Sequence, residues 1–446
     1  MASEETLQSL AKAITNKPPF CTGTIPVTSE DCTLYYKQGL TSSWLDLTQP
    51  TDPQLEELAQ ACVPATFGRD QEDVLDESYR KAGKMDKSEF AVMFNVEKLS
   101  IDERVRKQLF DASHGDRVVK AELYKLNVYG KGSFFKSHKD TPRGEKMFGS
   151  LVVVFPTPHE GGALVLRHSD QEWKFDSASL TREHQTPSIA YIAFYSDVDH
   201  EVTVVESGYR VTLTYNLFFK SGKEASEALA SVGPVAPDDH LLRDALSAAL
   251  NDPTFFPKGG HLGFGLSFQY PISGEWTREA HRVRCELVNN LKGSDAMIYR
   301  VSKQASLATS LGAVYEIQNE RDGTAVPVLV PITRVLMNNQ YNADDFIEQI
   351  CGSTHKGLVI HELGKVAPGR NFGNFVEKYK RMVTLAWVTP LTTYSNFVSR
   401  FTAYGNESRS SWEYADLCIT ARVGPYGKRG TLRDRVASGT NHDQRT

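Results

Sequence analysis

The chain has 446 residues, 40% hydrophobic and 24% charged, the balance of a soluble globular protein rather than a disordered or fibrous one. A formal net charge of −5 gives no overall attraction to nucleic acid or an anionic membrane, and no apolar run approaches the ~18 residues of a membrane span. The length allows two or three domains. Six cysteines (Cys21, Cys32, Cys62, Cys285, Cys351 and Cys418) are scattered without a C-x-x-C pair, which argues against a zinc cage or a disulfide scaffold. The N-terminus is acidic and then amphipathic, without the pattern of a secretion signal. Free thiols in the cytoplasm or nucleus, not secretion, are the expectation.

In chain order, the spacing of Leu7, Leu10, Ala11 and Ile14 predicts a helix over residues 3–15. A Pro/Gly/Thr-rich segment from Lys17 to Asp31 precedes a predicted strand over Thr33–Lys37. Helices are predicted from Asp52-Pro53 to about Cys62, and from Ile101 to Ala112. Residues 1–117 therefore read as a mainly helical support region.

From Val118 the character changes to short β-rich runs separated by turn signals such as Gly130-Lys131-Gly132 and Ser207-Gly208. Eight runs are predicted: Tyr124–Tyr129, Ser133–Asp140, Gly149–Phe155, Ala163–His168, Glu172–Asp176, Ile189–Ser196, Glu201–Val205 and Arg210–Phe219. That count fits a double-stranded β-helix, a jelly-roll barrel, over residues 118–220.

Beyond Lys220, helices are predicted over Ala225–Ala230, Asp238–Leu250, Glu279–Leu291 and Ala343–Cys351. Strands are predicted over Leu262–Tyr270, Ala313–Ile317, Ala325–Val330, Met382–Val388, Ser399–Tyr404 and Leu417–Val423. Asp238-Asp239-His240 carries metal-like letters but reads as a helix N-cap. The polar tail from Gly424 is expected to be mobile. Residues 221–446 read as an α+β domain of unknown role, so the fold class expected is α+β: a jelly-roll core with flanking helices and a C-terminal α+β domain.

The chemistry sits between Tyr124 and Leu217. His138 and Asp140 are separated by one residue on a predicted strand and so share a face. His200 opens a later β-rich run. Two histidines and one carboxylate in the order His-x-Asp…His are the ligand set of a non-haem Fe(II) site that leaves coordination positions open. Arg210, ten residues after His200, is placed to hold the far carboxylate of 2-oxoglutarate, and Thr212 shares its face. His-x-Asp alone is a cheap pattern, and a second copy stands at His168-Ser169-Asp170 without a suitable partner downstream. Phe134 or Phe135 is expected to line the pocket, while Trp173 and Trp387 read as packing. Gly161-Gly162 reads as a turn, or as a loop that approaches the iron. Arg167, His168 and His184 are weaker candidates for facing substrate.

The segments GSFFKSHKDT, MFGSLVVVFPTPHEGGALVLRH and AFYSDVDHEVTVVESGYRVTLTYNL resemble the prolyl 4-hydroxylase-like branch of the Fe(II)/2-oxoglutarate oxygenases, above all a set of fungal members. ATFGRDQEDVLDESYRKAGKMD, WVTPLT and AYGNE extend the resemblance weakly over most of the chain. It implies His138, Asp140 and His200 as iron ligands, Arg210 as the 2-oxoglutarate anchor, Thr212 as the second member of an Arg-x-Ser/Thr pair, and Tyr129 as a hydrogen-bond partner of the cosubstrate. Fe(II), 2-oxoglutarate and O₂ are the implied cofactor and cosubstrates, with ascorbate a further candidate. Asp140 points to hydroxylation or a related oxidation rather than halogenation, for which a small residue stands at that position. The substrate is expected to be a peptide or a small molecule, with no membrane partner and no assigned oligomeric state.

Two rival readings stand beside this one. A nucleic-acid demethylase of the AlkB type shares Asn127-x-Tyr129, but its second arginine position holds Asn216 and the chain is acidic, so nucleic acid is disfavoured. A barrel that has lost catalysis and serves as a binding module has no need of His138, Asp140, His200 and Arg210 together.

Overall fold

In the computed structural model the described residues are 4–69, 72–110, 118–141, 143–144, 146–219, 239–273, 278–318, 325–334, 356–364, 382–391, 412–415 and 417–429. Two antiparallel sheets build the centre. The larger has seven strands, in the order Phe20–Pro26, Ser188–Tyr195, Met147–Val154, Arg210–Phe219, Val119–Tyr129, Gly83–Asp86 and Val63–Pro64. The smaller has five, in the order Gln171–Phe175, Leu164–His168, Asp199–Val202, Phe134–His138 and Arg80–Lys81. The Ser188–Tyr195 strand is buried along its whole length, as expected for a strand covered on both faces.

On the Met147–Val154 strand the period of two divides the roles. Ser150 and Val152 face the cavity between the sheets, while Leu151 and Val153 go to the apolar layer on the other side. All eight expected runs of the core are strands within a few residues of their expected ends. His159–Gly161 adds a short strand, and Ser177–Arg182 a short helix capped by Asp176.

The N-terminal third departs from the mainly helical expectation. Helices occupy Glu4–Lys12, Asp52–Ala61 and Ile101–Leu109, but nine strands lie among the described residues up to Val92. The helices announce themselves by apolar periodicity and, at Asp52, by a capping box between Thr51 and Gln54. The strands are short and interrupted by Gly and Pro. Phe20–Pro26 lies inside the Pro/Gly/Thr-rich segment, for which no strand was expected, yet it pairs residue for residue with Ser188–Phe194. Gly23 is required there, because a Cβ would lie 2.7 Å from the Tyr191 ring that crosses it.

In the C-terminal region, six strands close into a small barrel: Gly260–Gly265, Met382–Thr389, Leu358–Glu362, Ala325–Pro331, Ala308–Gln318 and Cys418–Val423. Helices His240–Asn251, Arg278–Glu286 and Gly293–Gln304 accompany it. The last was not expected, because its buried face is made largely of Ser, Asp and Ala rather than of a clear apolar stripe. Asp239 stands at the N-cap of His240–Asn251 but makes no side-chain capping bond. Its buried carboxylate instead receives Nε and Nη2 of Arg300, both at 2.6 Å.

The start of the tail is anchored rather than loose. Arg429 donates to the carbonyls of Leu250, Asp252, Phe255, Phe256 and Gly424. The expected elements Ala225–Ala230, Ala343–Cys351 and Ser399–Tyr404, and the tail beyond Arg429, lie outside the described residues. Among the described residues no helix is long and apolar enough to cross a membrane.

Leu151 is fully buried, so Leu151→Ala is expected to remove about 2–5 kcal/mol of stability in urea titration. Leu40 protrudes fully from a hairpin tip, and Leu40→Ala is expected to change stability by less than about 0.5 kcal/mol. Equal effects would contradict this placement of the core.

Candidate metal centre and active site

The cavity between the two sheets collects the chemistry-bearing residues. His138, Asp140, His200, Tyr129, Arg210 and Thr212 all line it, with Arg80, Lys125, Asn127, Phe135, Ser150 and Phe194 among its other walls. It holds about 570 Å³ including its open mouth.

His138 and His200 reach each other because their strands are neighbours. The two residues are direct cross-strand partners, after a register shift between Phe135 and His138. Their ring centroids lie 4.2 Å apart. Asp140 follows two residues after His138, and one ligand atom from each of the three falls within 4.8 Å of the others. All three side chains are buried.

Each imidazole is oriented by the backbone. His138 Nδ1 lies 2.9 Å from the Lys136 carbonyl, and His200 Nδ1 lies 2.9 Å from the Val198 carbonyl. A carbonyl only accepts, so each Nδ1 carries the proton and each Nε2 keeps a lone pair for a metal. Ser150 donates through its hydroxyl to Asp140 Oδ2, while Asp140 Oδ1 faces His200 Nε2 at 3.9 Å. Phe135 stacks on His138 with centroids 3.6 Å apart, and Phe194 flanks His200 at 4.6 Å. Burial, aided by His200 and then Arg80, holds His138 well below its ordinary value of 6.5, so it stays neutral as a ligand must.

Arg210 is the largest of the fully buried side chains. It opens the Arg210–Phe219 strand directly opposite Tyr129, with the guanidinium carbon 5.5 Å from the Tyr129 ring centre. Among the described residues its Nε and Nη2 have no hydrogen-bond partner. Burial lowers its pKa to about 10, which still leaves a cation at neutral pH. A buried cation with unspent donors is costly unless an anion completes it. A dicarboxylate chelating a metal at the triad and reaching Arg210 with its far end fits both features. The Thr212 hydroxyl donates to the Asn127 carbonyl at 3.4 Å.

Other sequence candidates fall elsewhere. Gly162 approaches Arg210 rather than the metal ligands: at φ +66°, a Cβ would lie 2.9 Å from Arg210 Cδ. The second His-x-Asp copy is a hairpin turn, with Ser169 and Asp170 at positive φ. His168 stacks on Phe268, Arg167 pairs with Glu172 and Glu201, and His184 meets Thr24 Oγ1. None of these three lines the cavity. Trp173 packs edge-on against Phe20.

Sequence reasoning missed Ser150, Arg80 and Lys125. A serine inside the apolar run Gly149–Phe155 was a readable signal. Arg80 was not readable, since it sits on a two-residue strand far upstream. There it donates to Asn127 Oδ1 at 3.0 Å and covers the Phe135 ring at 4.3 Å.

Comparison with known proteins gives a family. Residues 124–218 match the model of the 2OG-Fe(II) oxygenase superfamily, and this segment of the chain belongs to it, with its His-Asp-His triad intact. Fe(II) and 2-oxoglutarate are the cofactor and cosubstrate implied by the superfamily and the triad together. Comparison with curated protein sequences gives no match.

Among solved structures the chain is similar to a 2OG-Fe(II) oxygenase family oxidoreductase from Burkholderia pseudomallei. Identity is 20% over 23% of this chain and 46% of that one, with a TM-score of 0.19. It is similar also to a prolyl-4-hydroxylase from Pseudomonas putida (14%, 48% of this chain, 100% of that one, TM-score 0.28). A third is a prolyl hydroxylase from Trichoplax adhaerens in complex with a hypoxia inducible factor peptide fragment (18%, 52% and 94%, TM-score 0.27).

The buried histidines fix a pH response of the metal-free protein. His138 is held well below 6.5, and burial takes His159 from 6.5 to about 4. His168 and His261 are lowered as well, and these four histidines bind protons in the unfolded chain that the folded chain refuses, so they lower stability as pH falls and outnumber the single buried Asp295, which is raised to about 7 and acts in the opposite sense. The urea midpoint is expected to be flat above the ordinary histidine range and to decline from about pH 6.5 toward about pH 4. A midpoint that rises on acidification through this window would contradict the burial.

Proposed function

We propose that the chain is an Fe(II)- and 2-oxoglutarate-dependent dioxygenase. It couples decarboxylation of 2-oxoglutarate to hydroxylation, or a related C–H oxidation, of a peptidyl residue, an amino acid or a small metabolite. In this reading His138, Asp140 and His200 are the metal ligands, and Arg210, with Tyr129 and Thr212 beside it, receives the distal carboxylate of 2-oxoglutarate. Residues 118–220 form the catalytic core of double-stranded β-helix type, residues 1–117 support it, and residues 221–446 make a C-terminal unit. One observation carries the reading: Arg210, whose buried Nε and Nη2 have no hydrogen-bond partner among the described residues, lines the same cavity as the His-Asp-His cluster.

Bound iron and 2-oxoglutarate would supply the O₂-dependent oxidation, yielding succinate and CO₂ as one oxygen atom enters the substrate. The chain's own contribution is placement and exclusion. The Lys136 and Val198 carbonyls fix the two imidazole planes, and the Ser150 hydroxyl fixes the Asp140 carboxylate. Phe135 and Phe194 wall the ligands from water. Arg210 fixes the carboxylate of the cosubstrate through a planar donor fork, which a lysine does not offer.

Anaerobic addition of Fe(II) and 2-oxoglutarate to the full chain is expected to give a weak visible metal-to-ligand charge-transfer band. His138→Ala should abolish it. Arg210→Ala should raise the 2-oxoglutarate needed for half-saturation by about 10- to 100-fold, the worth of hydrogen bonds to a charged group. Gly162→Ala, which crowds Arg210 without touching the ligands, should raise the same requirement while leaving metal affinity unchanged. No band from folded wild-type protein would overturn the proposal and favour a binding module.

A further inference from the structure

The metal ligands are held from behind by a turn that the C-terminal region grips. Residues 196–198 connect the Ser188–Tyr195 strand to the strand bearing His200. The Ser196 carbonyl accepts the Asp140 N–H at 3.2 Å, and the Val198 carbonyl accepts Nδ1–H of His200. Two of the three ligands therefore take their orientation from the two residues flanking Asp197.

Asp197 is almost wholly buried, and its partners lie far along the chain. Oδ1 accepts from Lys292 Nζ at 2.6 Å, and Oδ2 accepts from the Gln269 backbone N–H at 2.7 Å. Lys292 is equally buried; it donates also to the Gln269 carbonyl and lies over the rings of Tyr195, Phe268 and Tyr270. Gln269 makes a second link, because its Oε1 accepts from Nζ of Lys139, the residue between His138 and Asp140, at 2.9 Å. A single C-terminal residue thus touches both ligand-bearing segments.

We propose that Lys292, Asp197 and Gln269 are positioning residues of the metal centre, so that the C-terminal region is a built-in part of the site rather than an appendage. This rests on the reading of His138, Asp140 and His200 as metal ligands. An ion pair at this depth is a poor choice for stability alone, because desolvating both charges consumes most of their attraction. Its value lies in direction: two fixed donors on one carboxylate hold the turn in one orientation, and outer contacts of this kind tune metal affinity.

The test is an anaerobic titration of the metal-free full chain with Co(II), read by its visible d–d absorption, with folding followed by circular dichroism. The double variant Asp197→Asn/Lys292→Met removes the pair without stranding a charge. It is expected to fold, to bind Co(II) about 10- to 100-fold more weakly, and to show a shifted band. Lys139→Met, which removes the partly exposed link to Gln269 together with the 3.8 Å ion pair to Asp199, should weaken binding to a smaller degree, and it decides the matter if the double variant is unfolded. Folded variants with wild-type affinity and band would overturn the inference. Wild-type protein that takes up no Co(II) would overturn the metal-ligand reading, and this inference with it.

Discussion

Every feature of the centre depends on the cross-strand pairing of His138 with His200. A β-strand alternates its side chains between faces, so a slip of one residue would turn either histidine out of the cavity. The irregularity between Phe135 and His138 sets this register, and it leaves Phe135 stacked against the imidazole it precedes. A second pairing, Tyr129 opposite Arg210, fixes the other end of the same cavity in the larger sheet. Under the proposed function, two registers in two facing sheets thus set the span between a metal and a far carboxylate.

Burial gives these pairings their chemical consequence. Asp140, Arg210, Asp197 and Lys292 are all nearly inaccessible, in surroundings where an unpaired charge is expensive. Asp197 and Lys292 satisfy each other. Arg210 has two donors unspent among the described residues, and under the proposed function those donors await the cosubstrate. Under that reading the contrast separates an ion pair that organises the protein from a cation kept for a ligand.

The sequence made the centre legible because its signals are local. His138-x-Asp140 and Arg210-x-Thr212 each place two side chains on one face through a period of two, and turn residues mark the strands around them. Ser150 could have been noticed as a lone hydroxyl in an apolar strand. Arg80 and Lys292 could not, since each reaches the centre through tertiary packing from a distant part of the chain. The N-terminal strands escaped notice for a related reason. Val63–Pro64 and Arg80–Lys81 have two residues each, too few to show a period, and exist as strands only because a sheet edge is there to pair with.

The most direct measurement is a crystal structure of the full chain grown anaerobically with Mn(II) in place of Fe(II) and with 2-oxoglutarate. The proposed function predicts one metal bound by His138 Nε2, His200 Nε2 and an Asp140 oxygen, with the distal carboxylate of 2-oxoglutarate on the Arg210 guanidinium. A metal held elsewhere, or a 2-oxoglutarate whose far end leaves Arg210 unpaired, would contradict it.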